Sequence, residues 1–360
     1  MPAQQKDKTA IWVITPNGVV IAQQIKKHLT EADIYISAKI KPDANQPLTF
    51  HKLSDAMTEK FRQYSAHIFI MATGIVVRVI APYIQNKTED PGVVVVDDQG
   101  RHVISLLAGH LGGANDLTRK IAAMIEADPV ITAATDVNEK PAIDVLAKEK
   151  KLTIDNPPAI KSVNMALLTD RQIGIHDPFA VLQGNIPNAV RLTPDDLSKK
   201  DAATSNWPFR DHAAAIYVDD KQIDLPTHVL VLRPATLVAG IGCNRNTPME
   251  EIKALLNETL KRYQLARSSL NRLATIELKA DEPALIDLAK TLKVPIEFFS
   301  RAELSQVEDI QSPSAMVEKH VGVKSVCEAA AILASQMGDL VVPKQSTPNV
   351  TVAIARKAYI

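Results

Sequence analysis

Short apolar runs alternate with amphipathic stretches through the first third of the chain. Ala10–Thr15 (AIWVIT) reads as a strand, and Pro16-Asn17-Gly18 turns it into a helix carrying Ile21, Ile25 and Leu29. Ile34–Ser37 is a short strand, Ser54 caps a helix through Tyr64, and His67–Ala72 (HIFIMA) is a buried strand. Thr73-Gly74 then leads into Ile75–Ile84. Val93–Asp97 is β-branched and too short for a helix, so it is another central strand. Asp98-Gln99-Gly100 reads as a hairpin turn before Arg101–Leu106. A helix over Asp116–Ala127 places Leu117, Ile121 and Ile125 on one face, and Pro129–Ala134 closes the unit as a strand. This alternation predicts a mainly parallel sheet covered on both faces.

From Asp136 to Thr227 the pattern is less regular. Pro141–Lys151 and Ala159–Leu168 fit helices, and Gln172–Ile175, Ala189–Leu192 and Ala214–Val218 fit short strands, with Asp219-Asp220 as a turn. A new α/β rhythm starts near His228. Thr236–Gly240 is a strand, and Thr247-Pro248 opens a helix with Thr as cap. Leu273–Leu278 is a strand, Asp281 caps a helix from Glu282 to Thr291, and Pro295–Phe298 is the next strand. Ser325–Gln336 is an Ala-rich helix; Leu340–Val342 and Val350–Ala355 are terminal strands. The expected fold class is α/β: two α/β domains with mainly parallel sheets, residues 1–135 and 228–360, flanking a smaller α+β middle domain, residues 136–227.

Composition narrows the function. The 360 residues are 46% hydrophobic and 23% charged, which is the balance of a soluble globular protein. Lys+Arg and Asp+Glu are both 41, removing the electrostatic reason to expect general nucleic-acid binding. Aromatics at 4% offer little for a base-stacking platform. Two cysteines, Cys243 and Cys327, make neither a disulfide framework nor a four-cysteine zinc site and imply a reducing compartment. The polar start MPAQQKDKTA has no secretion-signal run, and nothing approaches the ~18 apolar residues of a membrane helix. A cytosolic protein is expected.

Ligands of open α/β sheets bind beyond the carboxyl ends of strands, and five loops answer that description. Ala72-Thr73-Gly74 ends the HIFIMA strand, with Arg78 one turn into the helix. Its free N–H groups can hold a carboxylate or phosphate, or Gly74 serves only the turn and Arg78 a solvated face. Ser105–Asp116 (SLLAGHLGGAND) sets Gly109, Gly112 and Gly113 around His110, followed by Asn115 and Asp116. Each glycine in a regular element costs ~0.5–1 kcal/mol relative to Ala, so a ligand approaching the backbone accounts for them better than packing. His110, titrating near neutrality, is the best general base. In Ala133–Asn138 (AATDVN), Thr135 and Asp136 follow a strand, and Asp136 either orients His110 or a water, or caps the next helix.

The other two loops are in the last third. Gly240–Thr247 (GIGCNRNT) is an incomplete dinucleotide fingerprint, yet its turn around Gly242 and Arg245 can still bind an anion. Cys243 reads as a buried thiol rather than a nucleophile. In ELKADE (Glu277–Glu282) and GVKSVCE (Gly322–Glu328), Lys279, Lys324 and Ser325 either bind acidic groups or serve as surface lysines and a helix cap. The nine histidines lack metal-ligand spacing, and a Walker A loop, a GxSxG elbow and kinase loops are missing.

Ordered blocks across nearly the whole chain carry a more specific signal: ATGIVVRVIAPYI, DPGVVVVDDQGRHVISLLAGHLGGANDLTRKIA and ITAATDVN, then GIGCNRNTPMEEI, ELKADEPALIDLAKTLKVPIEFFS and VGVKSVCEAAAILA. Together they resemble the cobalt-precorrin-5A hydrolase family of anaerobic cobalamin biosynthesis. One departure is Asn244-Arg245-Asn246, where the family often has two basic residues and then glycine. The resemblance implies a hydrolase acting on a cobalt-bearing corrinoid. Water opens a δ-lactone, and a two-carbon fragment departs as acetaldehyde, giving cobalt-precorrin-5B. No cofactor or protein metal site is implied, since the cobalt belongs to the substrate. The implied partners are that substrate and other enzymes of the pathway, with neither nucleic acid nor membrane. The last domain also looks like a stand-alone protein of the aerobic pathway.

Lactone hydrolysis needs a base for water, donors for the oxyanion and an acid for the leaving oxygen. The residues read above supply His110 as base, oriented by Asp116 or Asp136. Backbone N–H groups around Gly112-Gly113 or Thr73-Gly74 receive the oxyanion. Gly109, Asn115, Thr135 and Gly242 complete the substrate-binding loops, with Arg78, Arg245 and Lys279 for the peripheral carboxylates. A different class of reading is a corrinoid-intermediate carrier that needs no base. A nucleotide-dependent enzyme using GIGC as a phosphate loop is a poorer third.

Overall fold

The apolar runs of the first third assemble into one seven-stranded sheet. The computed structural model describes residues 8–40, 48–86, 89–138, 140–198, 214–313 and 322–358. The strands are β1 (Thr9–Val13), β2 (Asp33–Ser37), β3 (Thr49–Phe50), β4 (Ala66–Ile70), β5 (Gly92–Val96), β6 (His102–Leu107) and β7 (Asp128–Val130). Their order is β3-β2-β1-β4-β5-β6-β7. β4 and β5 are buried along their whole length, as runs covered on both faces must be. Helices α1 (Pro16–His28) and α4 (Ala114–Ile125) cover one face, bringing Ile21, Ile25 and Ile121 into one cluster with Ile11, Ile68 and Val94. Helices α2 (Leu53–Lys60) and α3 (Thr73–Ile80) bring Met57, Val76 and Ile80 together with Trp12, Phe69 and Val95 on the other.

Strand direction decides where the loops go. β1 to β5 run parallel to one another. The turn at Asp98-Gln99-Gly100 sends β6 back antiparallel to β5, and β7 is parallel to β6. The carboxyl ends of β6 and β7 therefore emerge at the edge where β4 and β5 begin. A Cβ placed on Gly92, the first residue of β5, would lie 2.5 Å from the carbonyl oxygen of Gly112 in the loop after β6. The loop after β4, with Thr73 and Gly74, is at the opposite edge.

The core of this unit holds a neutral histidine. His67 has no solvent exposure; its Nδ1 accepts from Trp12 Nε1 at 3.0 Å and its Nε2 donates to the Phe61 carbonyl at 2.9 Å. Burial lowers its pKa to about 4, with the bond to Phe61 opposing. The unfolded chain therefore binds a proton that the native chain excludes between the ordinary value near 6.5 and about 4. Stability conferred by neutral His67 is present above that window and declines as pH falls through it. Urea titrations at pH 7 and pH 4.5 test this. His67→Phe should be less stable than wild type at pH 7, because Trp12 Nε1 loses its acceptor, and the gap should narrow at pH 4.5.

The chain divides into compact units at Met1–Val145 and Leu146–Ile360. Helices α5 (Ala134–Val137) and α6 (Ile143–Glu149) follow β7, so Asp136, read above as the start of the middle domain, lies in the first unit. The second unit contains two sheets. One is built from β8 (Thr153–Ile154), β9 (Ile173–His176), β10 (Ala189–Arg191), β11 (Ala214–Val218) and β12 (Val229–Arg233), in the order β10-β9-β11-β12-β8, with α7 (Ile160–Leu168) and α8 (Pro194–Ser198) between its strands. Its pairings are parallel except β12 with β8, so this region is more regular than its sequence pattern. The strand near His228 that opens the new rhythm is β12 of this sheet.

The other sheet has the order β15-β14-β13-β17-β16, from β13 (Leu237–Cys243), β14 (Leu270–Ile276), β15 (Ile296–Phe299), β16 (Asp339–Ser346) and β17 (Val350–Arg356). β13, β14 and β15 are parallel, and the terminal strands add antiparallel. Its helices are α9 (Met249–Arg262), α10 (Pro283–Leu292), α11 (Arg301–Leu304) and α12 (Val326–Ala334). Two caps differ from expectation. Pro248 occupies the N-cap of α9 while the Thr247 hydroxyl donates to the Asn244 carbonyl, and Glu282, not Asp281, precedes α10. The predicted turn at Asp219-Asp220 joins the two sheets. Asp220 is fully buried and accepts from Arg356 of β17 through Nε at 2.6 Å and an Nη at 2.7 Å, and from the Thr236 hydroxyl at 2.7 Å.

Candidate active site

The loop between β6 and α4 is shaped by close packing. Ala108 (φ 53°) and Gly113 (φ 78°) take left-handed conformations, and Gly113 is the N-cap of α4. A Cβ on Gly109 would lie 2.6 Å from Asn115 Oδ1, and one on Gly112 would lie 2.8 Å from the Ala108 carbonyl oxygen. The glycines that the sequence reading assigned to an approaching ligand are thus required by the fold of the loop itself. Their effect is to bring His110 back toward α4 and the chain after β7.

There the histidine meets two carboxylates. His110 Nε2 is 2.8 Å from Asp136 Oδ2, and Nδ1 is 3.3 Å from Asp144 Oδ2. Asp136 Oδ2 also accepts from Asn115 Nδ2 at 2.9 Å, and its Oδ1 accepts from Arg119. Asn115, itself buried, is fixed by the Ser105 hydroxyl at 2.7 Å. The His110 and Asp136 side chains keep 19% and 15% of their exposure, so the cluster is reachable from solvent; that of Asp144 keeps 6%.

These partners set the charge of the ring. Asp144 chiefly, then Asp136, raise the His110 pKa to about 9 against the opposing effect of burial. Burial would raise Asp136, but hydrogen bonds from His110 and Arg119 outweigh it and hold the carboxyl below its usual range. At neutral pH this favours the imidazolium form of the ring, set between Asp136 and Asp144. A general base needs a ring nitrogen without hydrogen, whereas the raised pKa favours the protonated form of His110, in which both nitrogens carry hydrogens toward acceptors. What the ring can do is give a proton and take it back.

The other predicted residues fall apart from this cluster or beside it. Asp136 and Asn115 touch it as described, and Thr135 lies in α5 next to Asp136. Asp116 does not orient His110; it is exposed and pairs with Arg119 at 3.2 Å. Thr73 and Gly74 stand at the far edge of the sheet, so their N–H groups cannot serve an oxyanion beside His110. The β5–β6 hairpin separates them, by reversing the chain. Arg78, exposed on α3, donates to the Gly74 carbonyl at 3.2 Å.

In the second unit, Gly242 is a packing position, since a Cβ would lie 2.6 Å from Thr351 Oγ1. Arg245 is held by Asp281 at 2.6 Å and by the Leu278 carbonyl at 2.9 Å. Lys279 lies 3.4 Å from Glu282. These cations tie a turn together, where substrate carboxylates had been expected. Cys243 is half-buried, and burial pushes its thiol up. A second histidine, His176, has Nε2 3.1 Å from Asp219 and Nδ1 3.3 Å from the Leu192 carbonyl, beside a cavity of about 400 Å³ lined by Ile175, Leu182 and Arg191 among others.

Ser105, Arg119 and Asp144 were missed by sequence reading. Arg119 is four residues after Asn115 on α4, a helical spacing that places both on one face and was open to inspection. Asp144 had no such signal. Among the described residues no group of three or more His, Cys, Asp or Glu is placed to hold a metal ion, and no helix is long and apolar enough to cross a membrane.

Comparison with known proteins covers the chain in three consecutive stretches. Residues 55–136 match the profile described as cobalamin synthesis G N-terminal, 141–234 the cobalamin biosynthesis central region, and 237–355 the cobalamin synthesis G C-terminus. A cobalt-precorrin-5A hydrolase of Salmonella typhimurium is 37% identical over 93% of this chain and 94% of its own. One from Priestia megaterium is 32% identical over 99% of this chain and 97% of its own. A crystal structure of a putative cobalamin biosynthesis protein G homolog from Sulfolobus solfataricus is 24% identical, covers 97% of each chain and superposes with a TM-score of 0.36. The chain belongs to the cobalamin synthesis G family, together with these full-length cobalt-precorrin-5A hydrolases.

Proposed function

We infer that the protein is a cobalt-precorrin-5A hydrolase whose proton carrier is His110. Water adds to the lactone carbonyl, giving up one proton to bulk solvent, and the carbon–oxygen bond of the ring breaks. The departing oxygen needs a proton at that moment, and an imidazolium at a solvent-reachable edge is suited to donate it. The product is a carboxylic acid, which ionises, and a hydroxyl on the two-carbon fragment. Release of acetaldehyde requires that hydroxyl proton to leave while the carbon–carbon bond breaks and its electron pair passes into the conjugated macrocycle. Neutral His110, left by the first step, is the acceptor. One proton goes out and returns, so the enzyme needs no separate base for the second step.

The observation that carries this reading is the placement of His110 between Asp136 and Asp144 with part of its ring exposed. The two free thiols, one buried and one half-buried, fit a cytoplasmic location beside other enzymes of cobalamin synthesis. Incubating the purified protein with cobalt-precorrin-5A should release acetaldehyde and cobalt-precorrin-5B in equal amounts. Tight binding of that corrinoid with no acetaldehyde formed identifies a carrier instead.

A further inference from the structure

We propose that Arg119 receives the negative charge that develops on the lactone carbonyl oxygen when water adds, and holds the carboxylate that ring opening leaves. The inference rests on the reading of the protein as a lactone hydrolase with His110 as proton carrier. In that reading the oxygen that gains charge still lacks a partner. The backbone donors expected for it are spent: the N–H groups of Gly113, Ala114 and Asn115 donate to the carbonyls of His110, Ala108 and Gly109 within the loop itself. Arg119 is a cation of the same cluster, and it is reachable. Its side chain keeps 49% of its exposure, more than that of His110 or Asp136.

Two carboxylates hold the guanidinium, and they hold it unequally. Nη2 donates to Asp136 Oδ1, while His110 Nε2 lies 2.8 Å from the other oxygen, Oδ2, of the same group. Guanidinium and ring are thereby fixed side by side, one on each oxygen of a single carboxylate. A lactone also carries two oxygens on one carbon: the ring oxygen, which needs a proton, and the carbonyl oxygen, which needs a positive charge. Nη1 is 3.2 Å from Asp116 Oδ1, one turn earlier on α4, and the Asp116 side chain is 71% exposed. A pair this exposed is screened and contributes little, so a substrate oxyanion or carboxylate can take its place. The N–H groups not turned to Asp116 or Asp136, Nε–H among them, have no acceptor among the described residues. No proton moves at Arg119. It stays charged throughout, and the carboxylate it holds leaves with the product.

The test uses the full chain carrying Arg119→Ala, with acetaldehyde release followed against pH and His110 titrated by NMR on labelled histidine. Loss of a donor to the oxyanion should lower kcat by about 10²–10³-fold, with kcat/KM falling alike. The alkaline limb of the rate profile, at about 9, should not move down. Arg119→Lys keeps the charge without the planar fork and should recover part of the rate. It also serves where the Ala variant does not fold, because its rate must still lie below that of the wild type. Wild-type kcat in the substituted protein overturns the proposal. So does a lost rate accompanied by a downward shift of the His110 titration, since Arg119 then acts only by holding Asp136. Failure of the underlying reading looks different: His110→Gln would keep its rate while Arg119→Ala still lost its own.

Discussion

Substituting His110 with Gln should lower kcat for acetaldehyde release by about 10²–10⁴-fold, the range over which a positioned proton donor and acceptor contributes. Gln preserves a donor of similar reach, so KM should stay near that of the wild type while kcat collapses. Stopped assays of acetaldehyde across a pH series check both parts. In the wild type the rate should fall as pH climbs through about 9, because the protonated ring is the donor and its folded pKa lies above the ordinary value. A base would give the reverse, a rate rising through its pKa. The residual rate of the Gln variant should lack that alkaline limb. Wild-type release by His110→Gln, at any pH, removes the imidazole from the mechanism.

The same shift bears on stability. A histidine whose pKa is raised on folding contributes stability that is complete below about 6.5 and lost as pH rises through about 9. The first unit is thus opposed by two titrations of opposite sense, acid loss at His67 and alkaline loss at His110. Both leave neutral pH as the range in which core and active site are intact together.

In the second unit the largest single loss should come from Asp220→Ala. Removing this fully buried carboxylate strips the Arg356 guanidinium of two charge-assisted bonds and the Thr236 hydroxyl of its acceptor. Breaking one partner of a buried ion pair costs about 3–5 kcal/mol, and Arg356, whose side chain is 27% exposed, puts the expectation at the lower end. Denaturant titration of the full chain measures it. Thr236→Val should cost about 1 kcal/mol, since it removes one neutral donor and leaves the ion pair. An Asp220→Ala variant as stable as wild type would show that the second unit does not depend on this junction.

Much of the fold was legible in the sequence because its elements are locally consistent. HIFIMA and VVVVD are strands for reasons contained in their own residues, and Ile21, Ile25 and Ile121 fall on helix faces that pack as their spacing predicts. The hairpin at Asp98-Gln99-Gly100 was legible too, yet its consequence was not. A turn is a local property, whereas the edge of the sheet on which a later loop emerges depends on every reversal before it. Thr73-Gly74 and His110 therefore both read as loops at strand ends, although β6 runs against β4 and sets them on opposite edges.

The glycines of SLLAGHLGGAND show the converse error. Their presence marked an unusual backbone correctly, but the reason is contact of the loop with Asn115, Ala108 and Gly92. The amino-acid sequence by itself determined the family and the strand-and-helix order, and offered Asp116 and Asp136 as alternative partners of His110; the 2.8 Å contact is with Asp136. Tertiary structure alone decided which protonation state His110 favours. The charge of an imidazole depends on which groups lie within about 4 Å of it, and Asp144 reaches that distance only after β7, α5 and α6 have folded back toward the loop. Once they do, an imidazole that titrates near neutrality in water is favoured in its protonated form.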